Sequence, residues 1–434
     1  MRRALRSAGV VGALSVTAAA HAGSVAFPPW SDASDIPIPR WAKSVAPHAD
    51  DLPVFRMPTR AEPRRGTLFP SARAPLYGAL RGPGCGGRWF QIGPMAWVCS
   101  DEVELSADDP PSFASSRAPG RGLPPRFADD GLGLQYAFVG PEGASSYRDL
   151  RRAEEGTPEA DLDPGFAVAI VEQAEARGER WGKTRHGLWM PLSSLNFARP
   201  LPLHGEAFQP GDRVDVGWVL QEHAVTYADA SAQKATGARV RFELVHVREE
   251  ARGMARVSPD GAPVAEWLRL RDLTRPSPAA PPEEVGGTAA TERWIDVDLS
   301  TQTLLAYEGA QPVYAALVST GRGAQGSETA TPRGVHRIWV KLTTSTMGNL
   351  GDEDAETRYS IEDVPYVQFF AKGVALHGAF WHHSFGMAHS HGCVNLAPVD
   401  ARWLFAFTGP ELPPGWSAVL PAGPVDPGTV VRVR

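Results

Sequence analysis

Glycine and proline interrupt this 434-residue chain so often, 44 and 40 times, that long helices have little room to form. In a helix interior glycine costs about 1 kcal/mol and proline about 3 relative to alanine, and both favour turns. Apolar residues at helical spacing are scarce, so a mainly β fold of short strands and tight turns is expected. With 43% hydrophobic and 21% charged residues, the composition is that of a globular chain long enough for two to four domains. The net charge of −6 provides no basic field for a polyphosphate, so nucleic acid is not an expected partner.

The amino terminus reads as an export signal. Met1-Arg2-Arg3 and Arg6 are followed by an apolar, small-residue run from Val10 to Ala20, and Ala20-His21-Ala22 fits the small-x-small cleavage pattern. Residues 1–22 are therefore expected to be a signal peptide, with Gly23 as the mature start. The run is shorter than the roughly 20 residues that span a bilayer, so no persistent transmembrane segment is expected. The expected location is the periplasm or cell wall. Residues 23–66 carry Pro28-Pro29, Pro37, Pro39, Pro53, Pro58 and Pro63, which predicts an extended tether.

Between about 67 and 290 a loose echo recurs. Trp97 to Val103, Trp189 to Leu195 and Trp267 to Leu273 each place an aliphatic residue six positions after a tryptophan. The pattern resembles the closing strand of bacterial SH3-like barrels and divides the region into units at 67–127, 128–200 and 201–275. The charged stretch Tyr147 to Ala160 reads as a solvated insertion in the second unit. Residues 276–291, with Pro276, Pro278, Pro281, Pro282 and Gly286-Gly287, read as a linker. Of three cysteines, Cys85 and Cys99 lie fourteen positions apart. A disulfide between them would contribute about 3 kcal/mol in an oxidising compartment; the alternative is two buried thiols.

The region 292–434 reads as the last domain. Trp294 to Leu299 alternates apolar and polar residues, as a half-buried strand does, and Gln302 to Tyr307 completes a hairpin. Further strands are expected at Val313 to Ser319, Gly334 to Lys341, Val367 to Phe370, Val374 to Leu376 and Gly428 to Val433. A helix is expected from Pro398 to Phe407. Proline suits its first position, Val399, Trp403, Leu404 and Phe407 share a face, and Gly409-Pro410 follows its end.

The chemistry concentrates in Ser390-His391-Gly392-Cys393-Val394-Asn395, with His377-Gly378 sixteen positions before the cysteine. A single cysteine left over in an exported protein either joins another chain or does chemistry. Only the thiolate attacks a carbonyl, and an imidazole is the usual activator, so Cys393 is the candidate nucleophile and His377 the candidate base. Gly392 allows backbone N–H groups to converge on a developing oxyanion, a donor set worth roughly 3 to 4 kcal/mol per bond. Ser390 and Asn395 are small polar groups able to fix the loop or contact substrate.

These residues, with Trp381, Phe385-Gly386, Val318-Ser319-Thr320-Gly321 and Thr331-Pro332-Arg333-Gly334, make 292–434 similar to YkuD-type L,D-transpeptidase catalytic domains. The resemblance implies a β-rich domain with a short helix after the nucleophile, and an acyl-transferase working through a Cys393 thioester. It implies that the Gly378 carbonyl orients His377 and that His391, Gly392 and Cys393 build the oxyanion pocket, chiefly through their backbone. Ser390, Asn395, Trp381 and Phe385 are expected to meet the substrate. The family acts on peptidoglycan stem peptides as donor and acceptor and uses no metal or other cofactor. Arg322, Lys341 and Lys372 are candidates for a substrate carboxylate, and His382, His383 and His389 are expected to face water. A metalloenzyme is disfavoured because no Asp or Glu lies between His377 and Asn395. The remaining alternatives are a non-catalytic wall-binding protein and an L,D-carboxypeptidase.

Overall fold

The computed structural model describes residues 37–110, 132–199, 201–259, 265–285, 292–350 and 358–434. The expected signal peptide lies outside the described residues. No helix among the described residues is long and apolar enough to cross a membrane. The fold is mainly β, with α-helices at Leu150–Glu155 and Pro398–Phe407 among the described residues.

In the C-terminal region the strand Arg293–Asp298 forms an antiparallel hairpin with Thr303–Glu308, Ile295 facing Ala306. Gln311–Ser319 continues this sheet, and the final strand Val430–Val433 returns parallel to the first, Ile295 beside Val431. Ile295, Val297, Leu304, Val318, Leu376, Val394 and Leu404 fill one core. The opening strand is not half-buried as its alternation predicted. Its polar positions Asp296 and Asp298 are themselves buried, because Arg432 and Arg434 of the last strand reach them: Arg432 Nε lies 2.6 Å from Asp296 Oδ1, Arg434 Nε 2.9 Å from Asp296 Oδ2, and Arg434 Nη1 2.8 Å from Asp298 Oδ2. The segment 334–341 is also not one strand. It divides into Gly334–Arg337 and Val340–Gly348, which pair with different partners, Val430–Val433 and Ser360–Ala371.

The helix Pro398–Phe407 has the predicted bounds and buries Asp400, Ala401, Leu404, Phe405 and Phe407. Two buried ionisable residues hold its ends. Lys341 Nζ donates to the carbonyls of Phe405 (2.6 Å) and Thr408 (2.7 Å), which compensates the negative C-terminal end of the helix. Burial lowers the Lys341 pKa to about 7. Near the N-terminal end, Asp400 Oδ1 accepts from Gly205 N–H (2.7 Å) and Tyr314 Oη–H (2.8 Å), while burial raises its pKa to about 7.

The three tryptophan echoes share one local structure: a strand, a 3-10 turn and a second strand. These are Ala96–Cys99, Ser100–Glu102 and Val103–Ser106; Trp189–Pro191, Leu192–Ser194 and Leu195–Phe197; Glu266–Arg269, Leu270–Asp272 and Leu273–Thr274. The aliphatic residue six positions after each tryptophan, Val103, Leu195 or Leu273, is buried. Cys85 and Cys99 are disulfide-bonded, with Cα atoms 5.6 Å apart.

None of the three upstream segments hangs free of the C-terminal domain. The first pairs its strand Arg64–Leu68 with Trp416–Val419, Thr67 facing Ala418. The second places Ala167 parallel to Ile361 and shares a core of Tyr136, Ala167, Val364, Val367 and Phe380. The third joins through Glu206–Ala207, antiparallel to Tyr314 and Ala315, and packs Trp218 and Phe242 with Trp294, Leu305 and Leu317.

Several expectations are corrected by this packing. Residues 37–66 are not tether: the strands Ser44–Pro47, Leu52–Phe55 and Arg64–Leu68 belong to the first segment, and Val45, Leu52, Val54 and Leu68 are buried in it. The insertion 147–160 is not a bare loop. Asp149 caps the helix Leu150–Glu155 by accepting from Arg152 N–H, and Gly156 ends it in the left-handed region. The described part of the linker is docked. Proline-rich backbone has spare carbonyls, and Arg434 takes that of Ser277, Arg432 that of Ala280 and Arg337 that of Glu284; Val285 is buried.

Asp296 closes the first strand onto the last, so Asp296→Ala leaves two arginines without their shared acceptor. The substitution is expected to lower unfolding stability by about 2 kcal/mol, less than for a fully buried pair because Arg434 remains partly solvated. Denaturant unfolding of the two proteins measures this; equal midpoints would refute it.

Candidate active site

Two short parallel strands position the chemistry. Val374–Gly378 lies beside Val394–Leu396, with Leu376 level with Val394 and His377 level with Asn395. Side chains two apart on a strand share a face, so this register sends positions 375, 377, 393 and 395 to one side. Cys393 stands just ahead of the second strand, where Ala375 N–H donates to its Sγ at 3.4 Å. His377 and Cys393 line the same cleft, of about 610 Å³, together with Trp381, Ser390, His391 and Asn395. A β-carbon on Gly378 would sit 3.1 Å from Pro365 Cγ and 3.4 Å from Ala401 Cβ. Glycine there eases close packing against Pro365 of the strand Ser360–Ala371 rather than serving a turn.

His377 is buried, and its Nδ1 lies 3.1 Å from the Gly378 carbonyl. A carbonyl only accepts, so the neutral ring carries its proton on Nδ1 and leaves Nε2 as the basic atom. The Trp381 ring stacks against the imidazole, with centroids 5.6 Å apart. Burial lowers the His377 pKa to about 4, against a smaller opposing effect of the Gly378 carbonyl. Burial also pushes the Cys393 thiol up, partly offset by the Ala375 N–H. Both groups are thus neutral at pH 7 in the unliganded cleft.

The motif loop is bound to the strand before it. His389 N–H and Ser390 N–H both donate to Thr320 O, and Arg322 N–H donates to Ser390 O. Thr331 Oγ1 donates to Gly392 O at 2.7 Å while accepting from Gly321 N–H at 2.8 Å. Gly392 has φ +123°, a conformation that disfavours any residue with a side chain. One expectation for the oxyanion pocket is corrected here. The Gly392 N–H is already engaged with Ser390 Oγ at 3.1 Å, which leaves the Cys393 N–H as the donor adjoining the sulfur. Ser390 Oγ in turn donates to Cys393 O, so its hydroxyl holds the loop.

His382 does not face water. It is buried and its pKa is held down to about 3 by burial, reinforced by His389, His377 and His383. Its Nδ1 accepts from Ser384 N–H at 3.1 Å, so the neutral ring must carry its proton on Nε2. Nε2 lies 2.7 Å from the Asn395 side-chain amide. The amide must therefore present its oxygen to His382, which turns the NH2 toward the position that otherwise holds a buried, unpartnered atom. His382 thus sets which way the amide of Asn395 points in the cleft wall.

Other predicted contacts fall elsewhere. Phe385 is fully buried against Phe242 and does not reach the cleft. Lys341 is committed to the helix carbonyls and is not available to a substrate carboxylate. Lys372 is exposed and does not line the cleft, whereas Arg322 does, with Nη2 2.9 Å from His391 Nε2. His389 also lines the cleft. Among the described residues, the His, Cys, Asp and Glu groups close enough to share an ion are Cys85–Cys99–Asp101 and His186–Glu362–Asp363, neither of them in the cleft.

Residues 292–433 match the family model of the YkuD domain, the L,D-transpeptidase catalytic domain. The C-terminal third of the protein is a YkuD domain. Among solved structures, a Cys-to-Ser mutant of Enterococcus faecium L,D-transpeptidase is 22% identical over 33% of this chain and 50% of that one, with a TM-score of 0.24. The L,D-transpeptidase from Mycobacterium smegmatis is 16% identical over 62% of this chain and 99% of that one, with a TM-score of 0.24. An L,D-transpeptidase from Stackebrandtia nassauensis is 26% identical over 34% and 57%, with a TM-score of 0.23. The chain thus spans half the length of the first of these proteins. No curated protein matches the sequence.

The cleft of the YkuD domain also contains residues that local sequence gives no sign of. Tyr359, whose ring stacks on His391 at 5.9 Å, and Ile361 come from the far end of the long strand Ser360–Ala371 and the turn before it. Phe138 and Gly165 come from outside the YkuD domain altogether. Only the strand pairing across the domain boundary brings them there.

The lowered pKa of His377 has a direct consequence. The imidazole stays deprotonated at all pH values above about 4, the form that a general base at this position requires. The acid limb of kcat/KM for a turned-over substrate is expected near pH 4 rather than near the ordinary histidine value of about 6.5. A limb at 6 to 7 would show that the imidazole is not desolvated in solution. The raised thiol predicts that iodoacetamide alkylates Cys393 more slowly at pH 8 than it does a free thiol.

Proposed function

We propose that this protein is an exported L,D-transpeptidase acting on peptidoglycan stem peptides. One observation carries the reading. In a YkuD domain, an imidazole with Nδ1 committed to a backbone carbonyl shares a cleft with the unpaired cysteine, and adjacent strands hold the two. As Cys393 Sγ attacks the carbonyl carbon of a stem peptide bond, the thiol proton passes to His377 Nε2. The developing oxyanion lies beside the Cys393 N–H, and His391 flanks the cleft mouth. Collapse of the tetrahedral species breaks the C–N bond, and His377 returns the proton to the departing D-alanine amine. The resulting thioester is then attacked by the amine of a second stem, which loses its proton to His377 and restores the thiol.

Trp381 supports the base by stacking on it, and Asn395, oriented by His382, is the polar side chain of the cleft wall placed to donate to the bound peptide. Ser390 and Gly392 act on the loop that carries the sulfur. The Cys85–Cys99 disulfide supports export to the periplasm or cell wall, since structural disulfides persist in oxidising compartments. The strand, 3-10 turn and strand at the end of each upstream segment supports three SH3-like modules.

The test is mass spectrometry of wall fragments incubated with purified enzyme. Cross-linked dimers with loss of D-alanine are expected from the wild type, and none from Cys393→Ala or His377→Ala, with activity reduced at least about 1,000-fold. A carbapenem is expected to add to Cys393 in the wild type only. Trimmed tripeptides without cross-links would identify a carboxypeptidase. A wild type that neither turns over stems nor becomes acylated would identify a wall-binding protein.

A further inference from the structure

We propose that the segment 132–199 is part of the donor site, and that Phe138 forms an apolar wall for the aliphatic side chain of the residue that Cys393 acylates. The inference rests on the transpeptidase reading above. It assigns to an upstream segment a role in selecting the donor rather than in spacing the catalytic domain.

Phe138 and Gly165 line the catalytic cleft although they precede the YkuD domain by more than a hundred positions. Phe138 lies on the strand Gln135–Val139 and is only partly buried, so it presents surface to the cleft. It is one end of a series of rings that leads to the catalytic base. Its ring lies 5.9 Å from Phe380, Phe380 meets Trp381 edge-on at 5.2 Å, and Trp381 stacks on His377 at 5.6 Å. Phe138 and Trp381, with Met347, Ile361 and Phe369, make part of the cleft apolar, and Phe380 packs between the first two from behind. Arg322, His389 and His391, all lining the same cleft, supply its cationic and polar part.

The wall is fixed. The Tyr136 ring packs tilted against Phe380 with centroids 4.1 Å apart and its hydroxyl donates to Asp363 O, Ala167 pairs with Ile361, and His186 Nε2 lies 3.2 Å from Asp363 Oδ2. Moving the segment away would expose the shared core of Tyr136, Ala167, Val364 and Phe380. Phe138 is therefore held at the cleft whether or not substrate is present.

A cleft with one apolar and one cationic lining fits a donor whose reacting residue carries a methylene chain and whose leaving residue carries a carboxylate. Diamino acids are of this class. Apolar walls discriminate among such side chains by about 10-fold per methylene or more.

The test uses the full-length enzyme and two tetrapeptide donors that differ only at the third residue, diaminopimelate in one and alanine in the other. Carbapenem acylation of Cys393 reports an intact catalytic pair. For Phe138→Ala, KM for the diaminopimelyl donor is expected to rise about 10-fold while kcat, acylation and KM for the alanyl donor stay within about 2-fold. Phe138→Leu, which keeps apolar contact with Phe380, is expected to give a smaller rise of about 3-fold and decides the matter if the alanine variant is unstable. An active wild type whose Phe138 variants treat both donors as before, or lose both equally, overturns the inference and leaves the transpeptidase reading standing. A wild type inactive on both donors overturns the transpeptidase reading and this inference with it.

Discussion

The parallel register between Val374–Gly378 and Val394–Leu396 is the constraint on which the site depends. It sets His377 level with Asn395 and places the sulfur of Cys393 within reach of the Ala375 N–H. A slip of one residue would turn the imidazole and the thiol to opposite faces of the sheet. The helix Pro398–Phe407 backs the register, with Ala401 and Pro398 in van der Waals contact at position 378 and Pro365 crowding it from the neighbouring strand. That helix is in turn fastened by two buried ionisable residues, Lys341 at its carbonyl end and Asp400 near its start. Their burial raises the cost of any rearrangement, because each would lose its hydrogen bonds in a place water does not reach.

The same burial shapes the chemistry. His377 loses most of its proton affinity and Cys393 holds its proton more firmly, so the resting pair is a neutral thiol beside a neutral imidazole. In the proposed reaction, proton transfer is therefore coupled to attack on the substrate carbonyl rather than completed beforehand. A site arranged in this way keeps an uncommitted thiol from reacting freely, since the reactive thiolate is scarce until an electrophile arrives.

The upstream segments are part of the same body as the catalytic domain, not separate units strung before it. Each contributes a strand pairing and a set of buried side chains to it: Thr67 with Ala418, Ala167 with Ile361, Glu206 with Ala315. The proline-rich stretch ahead of the YkuD domain reads as a linker because its own backbone cannot form a ladder. It is nevertheless bound where described, because Arg432, Arg434 and Arg337 collect its free carbonyls. The same principle hid the true burial of Asp296 and Asp298. Their polarity suggested a solvated face, and their partners lie more than 130 positions away at the end of the chain.

The sequence by itself determined the β class and the helix bounds at Pro398–Phe407, and it singled out Cys393 and His377 for the proposed reaction, while the pairing of Cys85 with Cys99 was left to the structure. The sequence readings rest on local rules: turn propensity, a proline at the first helical position, cysteine count, and a motif whose residues lie close together in the chain. Tertiary structure alone decided that Phe385 is core, that Lys341 caps a helix, that Gly392 has spent its N–H on Ser390, and that His382 orients Asn395. It also decided that Phe138 stands in the cleft. These outcomes depend on which partner arrives from a distant strand, and hydrogen-bond supply and burial at such meetings are not encoded within any one stretch of residues.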